Sequence, residues 1–236
     1  MDANQLTEKL MCFGLTRQEA TLYLCLAQNG EMTGYEAAKQ TGISRSNAYN
    51  ALAGLVDKGA AYTAEGTALR YHMVETEEFC RNKIRALEKT AAELTACMPR
   101  QKTQAQGYLT ITGDIHIRDK ISNMITGAGE RVYLSMTYDS LMAFCPEIRE
   151  AVAAGRKIVA ITDKAADLSG VIVYQTAAKG RQVGVIAYSA YALSGELGGG
   201  DDSTCLYSGQ ENFVRVFKDS LRNEIILIQL KQKGDY

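Results

Sequence analysis

The residue types that carry most covalent and metal-assisted chemistry are few in this sequence. It contains two histidines, His72 and His116, and six scattered cysteines, with no Cys-x-x-Cys pair and no histidine at ligand spacing. Cysteines of this kind, in a chain without a secretory signal, usually serve as small hydrophobic residues of the core. The sequence offers no nucleophile with an ordered general base. We therefore predict a protein that is not an enzyme and that uses no metal and no cofactor.

A glycine-rich acidic stretch is a second candidate site. Residues 195–202 read Gly-Glu-Leu-Gly-Gly-Gly-Asp-Asp, but no Lys-Ser or Lys-Thr pair follows, so the stretch does not match a phosphate-binding P-loop. Asp201 and Asp202 carry the oxygen ligands that a divalent cation prefers. Acidic glycine loops are more often solvated turns, and we predict a turn here.

One polar stretch, residues 44–50, has side chains that read DNA bases. Ser44 is placed to cap a helix in which Ala48, Leu52 and Leu55 share the inward face. The opposite face presents arginine, which pairs with guanine, and asparagine, which pairs with adenine. The predicted DNA contacts are Ser44, Arg45, Ser46, Asn47, Tyr49, Asn50, Lys58 at the helix end and Arg70 on a following hairpin. The alternatives are a solvated polar face and, for Tyr49, a role in bracing the helix.

Short helices and a hairpin are predicted to position this stretch. A first helix precedes Gly14, and two Ser/Thr-x-x-Glu capping boxes, at 16–19 and 33–36, open the second and third helices. After the fourth helix, two short strands at 60–64 and 68–74 flank a turn at Glu65-Gly66, and Thr63 and Thr67 are further candidate contacts of this hairpin. The order predicts a winged helix-turn-helix domain over residues 1–74. The alternative is another small helical domain with an appended hairpin.

A long helix is predicted over residues 76–98. Its apolar residues recur at alternating spacings of four and three, the heptad pattern of a coiled coil. They are Cys80, Ile84, Leu87, Ala91, Leu94 and Met98. Pro99 ends the helix and a polar linker follows, so we assign residues 75–106 to dimerisation and linkage. A two-fold DNA reader needs a dimer contact, and we predict a homodimer through this seam. The alternative is that the stripe packs against its own chain.

Strands and helices alternate from Gly107 onward. Strands are predicted at 108–112, 131–136, 157–162, 171–175, 183–187, 192–197 and 204–207, and helices at 115–125, 140–154 with a break at Pro146, 211–219 and 221–230. This order predicts an α/β domain with a mixed sheet over residues 107–236. Such sheets bind ligands beyond the carboxyl ends of parallel strands. Ser135, Thr137, Tyr138 and Asp163 follow or end two strands, and we predict that they bind a small-molecule effector.

Charge and hydropathy restrict the function classes. The net charge is −1, and residues 1–74 hold six Lys or Arg against seven Asp or Glu, so any DNA affinity must come from locally placed cations and from dimerisation. The N-terminus lacks the basic head and apolar core of a secretory signal, and no run reaches the roughly 18 apolar residues of a membrane helix. We predict a cytoplasmic protein without a membrane partner.

Several N-terminal motifs resemble, in order and spacing, those of the TrmB-type transcription regulators. They are Phe13-Gly14-Leu15-Thr16, Glu36-Ala37-Ala38, Gly42-Ile43-Ser44-Arg45-Ser46, Lys58-Gly59 and Arg70-Tyr71, and the resemblance covers residues 5–98. It implies a winged helix-turn-helix, a coiled coil and a C-terminal effector domain with a phospholipase D-like fold, which binds sugars in characterised members. Residues 132–135, 205–208 and 213–217 resemble that domain more weakly.

The implied phospholipase D-like fold raises a phosphodiesterase alternative. That chemistry needs the pattern His-x-Lys-x4-Asp twice per active site. His116 is followed by Arg118 and Asn123 where Lys and Asp belong, and His72 lies in the wing, so no second copy can be completed. The sequence therefore predicts a transcription regulator that binds double-stranded DNA and a small-molecule effector, with sugars as the first candidates. A winged-helix protein-interaction module is the leading alternative.

Overall fold

The computed structural model describes residues 2–64, 66, 68–99, 107–176, 179–188 and 190–233. The chain divides into two compact units, Met1–Arg100 and Gln101–Tyr236, which are described separately below. The helix predicted over 76–98 belongs to the first unit. Glu65 and Thr67 of the predicted wing, and the predicted linker at 100–106, lie outside the described residues.

The described residues of the first unit form five helices and a small antiparallel sheet. The helices are α1 (Ala3–Cys12), α2 (Arg17–Asn29), α3 (Gly34–Thr41), α4 (Arg45–Asp57) and α5 (Thr76–Cys97), and the strands are β1 (Met32–Thr33), β2 (Ala61–Ala64) and β3 (Arg70–Met73). The sheet order is β1-β3-β2. The predicted helices and hairpin are confirmed. The short strand β1 was not predicted, because two residues between helices give no periodic signal.

Local hydrogen bonds explain where these helices begin. At α2 and α3 the predicted capping boxes are present, with Thr16 and Glu19, and Thr33 and Glu36, exchanging side-chain and backbone bonds. Ser44 caps α4 by accepting from the N–H of Asn47 at 3.4 Å. The buried faces of α2 and α4 meet in one core, which includes Leu22, Tyr23, Leu26, Leu52 and Leu55.

The second unit is built on a seven-stranded mixed sheet. Its strands are β4 (Leu109–Thr112), β5 (Arg131–Ser135), β6 (Lys157–Thr162), β7 (Val171–Gln175), β8 (Gln182–Ala187), β9 (Tyr191–Glu196) and β10 (Thr204–Ser208). The order is β4-β10-β9-β8-β5-β6-β7. The pairs β5–β6 and β6–β7 are parallel, and the other pairs are antiparallel. The predicted mixed α/β sheet is confirmed.

Helices cover both faces of this sheet. One face packs against α6 (Asp114–Thr126), α7 (Tyr138–Ala143) and α8 (Cys145–Ala153), in a core that includes Ile121, Leu134 and Ile158. The other face packs against α9 (Glu211–Lys233), through Ile186, Leu221 and Ile228 among others. Pro146 lies in the first turn of α8, so the break falls two residues before the predicted position, at Phe144.

The C-terminal segment is one helix of 23 residues, where the sequence predicted two helical stretches. Residues 225, 226 and 228 are isoleucines, a β-branched residue type with a weak helix propensity. Leu221 and Ile228 are buried seven residues apart, which is two helical turns, so both point at the sheet from the same face of α9. Packing against the sheet therefore outweighs the weak helix propensity of isoleucine.

Candidate nucleic-acid interface and effector site

The polar face of α4 is exposed along its first turns. Ser44, Arg45, Ser46, Asn47, Tyr49 and Asn50 are all exposed, as the sequence predicted for a DNA-reading face. Ala48, Leu52 and Leu55 are buried on the opposite side. The helix N-terminus adds free N–H groups on the same side as these polar residues.

Arg45 is held by an aromatic ring of the neighbouring helix. Its guanidinium carbon lies 4.5 Å from the centroid of the Tyr35 ring on α3. A cation over a ring face at this distance is attracted to the ring, and the side chain loses part of its rotational freedom before any ligand binds. Sequence reasoning missed Tyr35, because its contact depends on how α3 and α4 cross.

Tyr49 contributes to the packing of α3 against α4. Gly34 opens α3, and a Cβ atom built there would lie 2.4 Å from Cε1 of the Tyr49 ring, well inside van der Waals contact. Gly34 thus leaves the space that the ring occupies. The sequence left a contact with DNA or a bracing role open for Tyr49, and this geometry favours the bracing role.

Lys58 makes contacts within its own unit. Its ammonium group donates to the carbonyl of Gly14 at 2.9 Å and to the carboxylate of Glu19 at 2.6 Å. Burial opposes the charged form of Glu19, but the hydrogen bonds from Lys58 and Thr16 and the charge of Lys58 outweigh it, so the pKa of Glu19 is lowered. This use of the ammonium group competes with a phosphate contact, and a DNA role for Lys58 stays a prediction.

Arg70 on the wing has acidic neighbours. Its guanidinium lies 3.9 Å from carboxylate oxygens of both Glu31 and Glu36, and it donates to the carbonyl of Glu31 at 3.4 Å. Hydrogen bonds from the N–H and hydroxyl of Thr33 lower the pKa of Glu36, and the charge of Arg70 lowers it further. These ion pairs are exposed, so Arg70 can exchange them for a phosphate at small cost.

The heptad seam of α5 is exposed from Ile84 onward. Ile84, Leu87, Leu94 and Met98 are between 48% and 64% exposed, and Ala91 is also exposed. The helix ends at Cys97, so Met98 is its C-cap residue and not part of its last turn. Within its own unit this stripe is therefore not covered.

Cys80, the first residue of the predicted seam, is less exposed than the seam residues that follow it. It is half-buried against the core of the first unit, next to the fully buried Phe79, whose ring lies 5.9 Å from that of Tyr23. The first turn of α5 covers a core that the hairpin and α2 leave open. Cys80 therefore packs partly against the core of its own unit, its place in a dimer seam stays a prediction, and the exposed part of the stripe begins one turn later.

The predicted effector residues meet at the carboxyl ends of β5 and β6. The carboxylate of Asp163 accepts from the N–H of Tyr138 at 2.7 Å, and this bond holds the pKa of Asp163 below its usual range. Thr137 caps α7 by accepting from the N–H of Ser140. Ser135 is buried inside the sheet. The parallel strands thus bring Thr137, Tyr138 and Asp163 together, while their main hydrogen bonds serve to begin α7.

The glycine-rich acidic stretch forms a turn around Asp114. Gly198 and Gly200 donate their N–H groups to the Asp114 carboxylate at 2.8 and 3.1 Å, and Asp201 and Asp202 stay exposed on a single 3-10 turn. In the part of the chain that the structure describes, no cluster of three or more His, Cys, Asp or Glu residues is arranged to hold a metal ion. No described helix is long and apolar enough to cross a membrane.

Comparisons with known proteins define the class of the first unit. Residues 10–77 match the family described as the sugar-specific transcriptional regulator TrmB. The chain is 23% identical over 229 residues to the uncharacterized protein YrhO of Bacillus subtilis, covering 92% of this chain and 83% of YrhO. It is 26% identical over 149 residues to TrmBL1 of Pyrococcus furiosus, named an HTH-type sugar sensing transcriptional regulator, covering 58% of this chain and 42% of TrmBL1. The match therefore covers less than half the length of TrmBL1.

Solved structures with a similar course of the chain include an archaeal chromatin protein and a phospholipase D family member. TrmBL2, the archaeal protein, is 17% identical with a TM-score of 0.44, and the match covers 95% of this chain and 98% of that one. Nuc from Salmonella typhimurium is 9% identical with a TM-score of 0.39, over 50% of this chain and 93% of that one.

The first unit has the helices and hairpin of a winged helix-turn-helix domain, and residues 10–77 within it match the TrmB family. The resemblance to TrmB-type regulators that the N-terminal motifs predicted is confirmed for these residues. The family match lies within the first unit, so the role of the second unit is a separate question.

Proposed function

We propose that this protein is a homodimeric regulator that reads duplex DNA with α4 and responds to a small polar metabolite bound by its second unit. The observation that carries the proposal is the exposed face of α4, where Arg45 is held over Tyr35 opposite a buried apolar stripe. A preordered arginine at the start of an exposed helix is suited to guanine in the major groove.

The proposal of a dimer rests on charge and on the exposed seam. The DNA-reading unit has no excess of cations, so one copy has little electrostatic grip on phosphates. Two copies joined through α5 would contact two half-sites and add their binding free energies. The apolar side chains from Ile84 to Met98 are exposed in a single chain, and pairing them would remove that surface from water.

The proposal of an effector rests on the second unit and on the family description. The TrmB family is named sugar-specific, and TrmBL1 is named sugar sensing, so sugars belong in the first screen. We propose no catalysis, since His116 is the single histidine of the second unit and the relatives with a named role are regulators. An effector changes DNA binding only through different affinities for two states, and a useful coupling is about 1–3 kcal/mol.

Selection of bound sequences from a random DNA pool tests the function. We expect one enriched two-fold site, against which variants are compared by mobility shift. Arg45→Ala should weaken binding by about 1–3 kcal/mol, roughly 5–150-fold, and relax base preference at one position of each half-site. Arg45→Lys keeps the charge but loses the planar guanidinium that can form two parallel hydrogen bonds to one base. It should therefore lose base preference with a smaller loss of affinity than Arg45→Ala.

Arg149→Ala is the matched control, because it removes the same charge from an exposed position of α8 in the second unit. It should leave DNA affinity unchanged. Enrichment of no sequence would contradict DNA reading and favour the protein-interaction alternative. An enriched site read equally well by the Arg45→Ala variant would show that α4 is not the reading helix.

A further inference from the structure

A groove runs between α9 and the sheet of the second unit, on the face opposite α6 to α8. Its floor is formed by Ile186 of β8 and Leu221 of α9, and the Tyr133 ring of β5 forms part of its wall. Its volume is about 330 Å³, within the range of sites for small organic molecules. The residues predicted to bind an effector at the ends of β5 and β6 do not line it.

Three cations surround this groove. Arg131 is the first residue of β5, and Lys218 and Arg222 lie one turn apart on α9. Like charges at this spacing on a helix repel each other and lower its stability. Among the described residues that line the groove none is acidic, and Glu130 lies in an adjoining cavity. The groove therefore favours a negatively charged ligand.

Arg131 is positioned in advance for such a ligand. Its guanidinium donates to the Tyr133 hydroxyl at 3.1 Å, which holds the side chain beside the groove. Four further N–H donors of the guanidinium remain, in the planar arrangement that matches phosphate or carboxylate. A side chain that is already ordered gives up less conformational entropy on binding.

The lining also indicates what the rest of the ligand is. Isoleucine, leucine and tyrosine side chains offer apolar contact, whereas the hydroxyl groups of a neutral sugar need acceptors as well as donors. Lysine and arginine side chains supply donors alone. A ligand with an anionic group on an apolar or aromatic body therefore matches both the three cations and the apolar side chains that line the groove.

We propose that this groove is the effector site of the regulator and that it binds a small organic anion, a phosphate or carboxylate on an apolar or aromatic body. The effector role rests on the function proposed above, but the binding site does not. A ligand here touches α9 and two strands of the sheet, β5 and β8, so its binding stabilises one position of α9 against the sheet.

The test measures binding to the full chain by calorimetry with matched probes. Phenyl phosphate and phenylacetate carry both features, phenol and inorganic phosphate carry one each, and glucose and glucose 6-phosphate represent sugars. We expect the first two to bind at least about tenfold more tightly than phenol or glucose. Arg222→Gln should weaken phenyl phosphate by about tenfold or more, and Arg131→Gln with Arg222→Gln should abolish its binding.

The control is Arg149→Gln, on the opposite side of the sheet, which should bind phenyl phosphate like the wild type. Equal affinity for phenol, no binding of either anion, or binding that survives the double substitution would overturn the groove as an anion site. Phenyl phosphate that binds the wild type through the groove but leaves its affinity for the selected DNA unchanged would overturn the effector role. Failure to select any DNA sequence is a separate result, and it contradicts the proposed function without affecting the groove.

Discussion

Replacing Glu19 by glutamine would test how the first unit holds α2 against α4. The carboxylate of Glu19 is 8% exposed and accepts from the Thr16 N–H and from Lys58, each at 2.6 Å. Glutamine is nearly the same shape and can still accept from Thr16, but it removes the charge that faces Lys58. The pair joins positions 39 residues apart in the chain.

The size of the effect follows from the burial of the two partners. A hydrogen bond to a charged group contributes about 1.5–3 kcal/mol when it is well formed. Lys58 is 32% exposed, so water can partly replace the ion pair that its ammonium group loses. We therefore expect Glu19→Gln to lower the unfolding free energy by about 1–2 kcal/mol. Glu19→Ala also breaks the capping box and should cost about 2–3 kcal/mol.

The pH dependence gives the sharper measurement. Because the pKa of Glu19 is lowered in the folded state, its contribution is present above the unfolded value of about 4.3. It is lost as pH falls through the lower folded value. Urea denaturation should therefore show the full difference between wild type and Glu19→Gln at pH 5–7 and a shrinking difference below about pH 4. Hydrogen exchange of the α2 and α4 amides would assign the change to the first unit.

Glu36→Gln is the matched control, because Glu36 occupies the same position in the capping box of α3 but is exposed. Its nearest basic group, on Arg70, is 3.9 Å away, so we expect a smaller loss. A Glu19→Gln difference that is no larger than this, or that stays constant from pH 7 to pH 3, would refute the argument. Replacing Lys58 by methionine in the Glu19→Gln background should add only the loss of its exposed hydrogen bond to the Gly14 carbonyl, since the partner charge is already gone.

Three further results are expected. Gly34→Ala places a methyl group 2.4 Å from the Tyr49 ring and should lower the unfolding free energy by about 1–3 kcal/mol. Adding Tyr49→Ala should restore part of this stability, and an unchanged urea midpoint in Gly34→Ala would contradict the contact. Leu87→Asp with Leu94→Asp places charges in the seam and should give monomers by light scattering, whereas a persistent dimer would move the interface to the second unit. Burial raises the pKa of Cys205 to about 11, so at pH 8 a thiol reagent should modify it only after unfolding, unlike the exposed Cys12 and Cys97. Rapid labelling of Cys205 itself in the native protein, located by peptide mapping, would show that the strand opens.

Much of the first unit was predictable because its signals are local. A capping box is completed within four residues, and the inward faces of α2 and α4 repeat at helical spacing, so both could be identified without a partner. The exposed polar face of α4 followed for the same reason, as the complement of a buried apolar stripe. The change to alternating strands and helices after Gly107 likewise predicted the class of the second unit.

Other features depended on contacts between distant parts of the chain. The seam of α5 was predicted to start at Cys80, but Phe79 and Cys80 complete the core of the first unit, and nothing in a heptad pattern says which end of a helix has a neighbour. The contact of Arg45 with Tyr35 and the ion pair of Lys58 with Glu19 likewise exist only because helices cross at particular residues.

What the sequence determined by itself is therefore the type of most elements, the caps of α2 to α4 and the apolar faces of α2 and α4, since these depend on the side chains of neighbouring residues. The tertiary structure decided the order of the strands, because pairing brings together residues that are far apart in the chain and the strand periodicity is the same for any neighbour. That order placed β5 and β8 beneath α9. It thereby created the groove in which Arg131 meets Lys218 and Arg222, three cations that no spacing along the chain relates to one another.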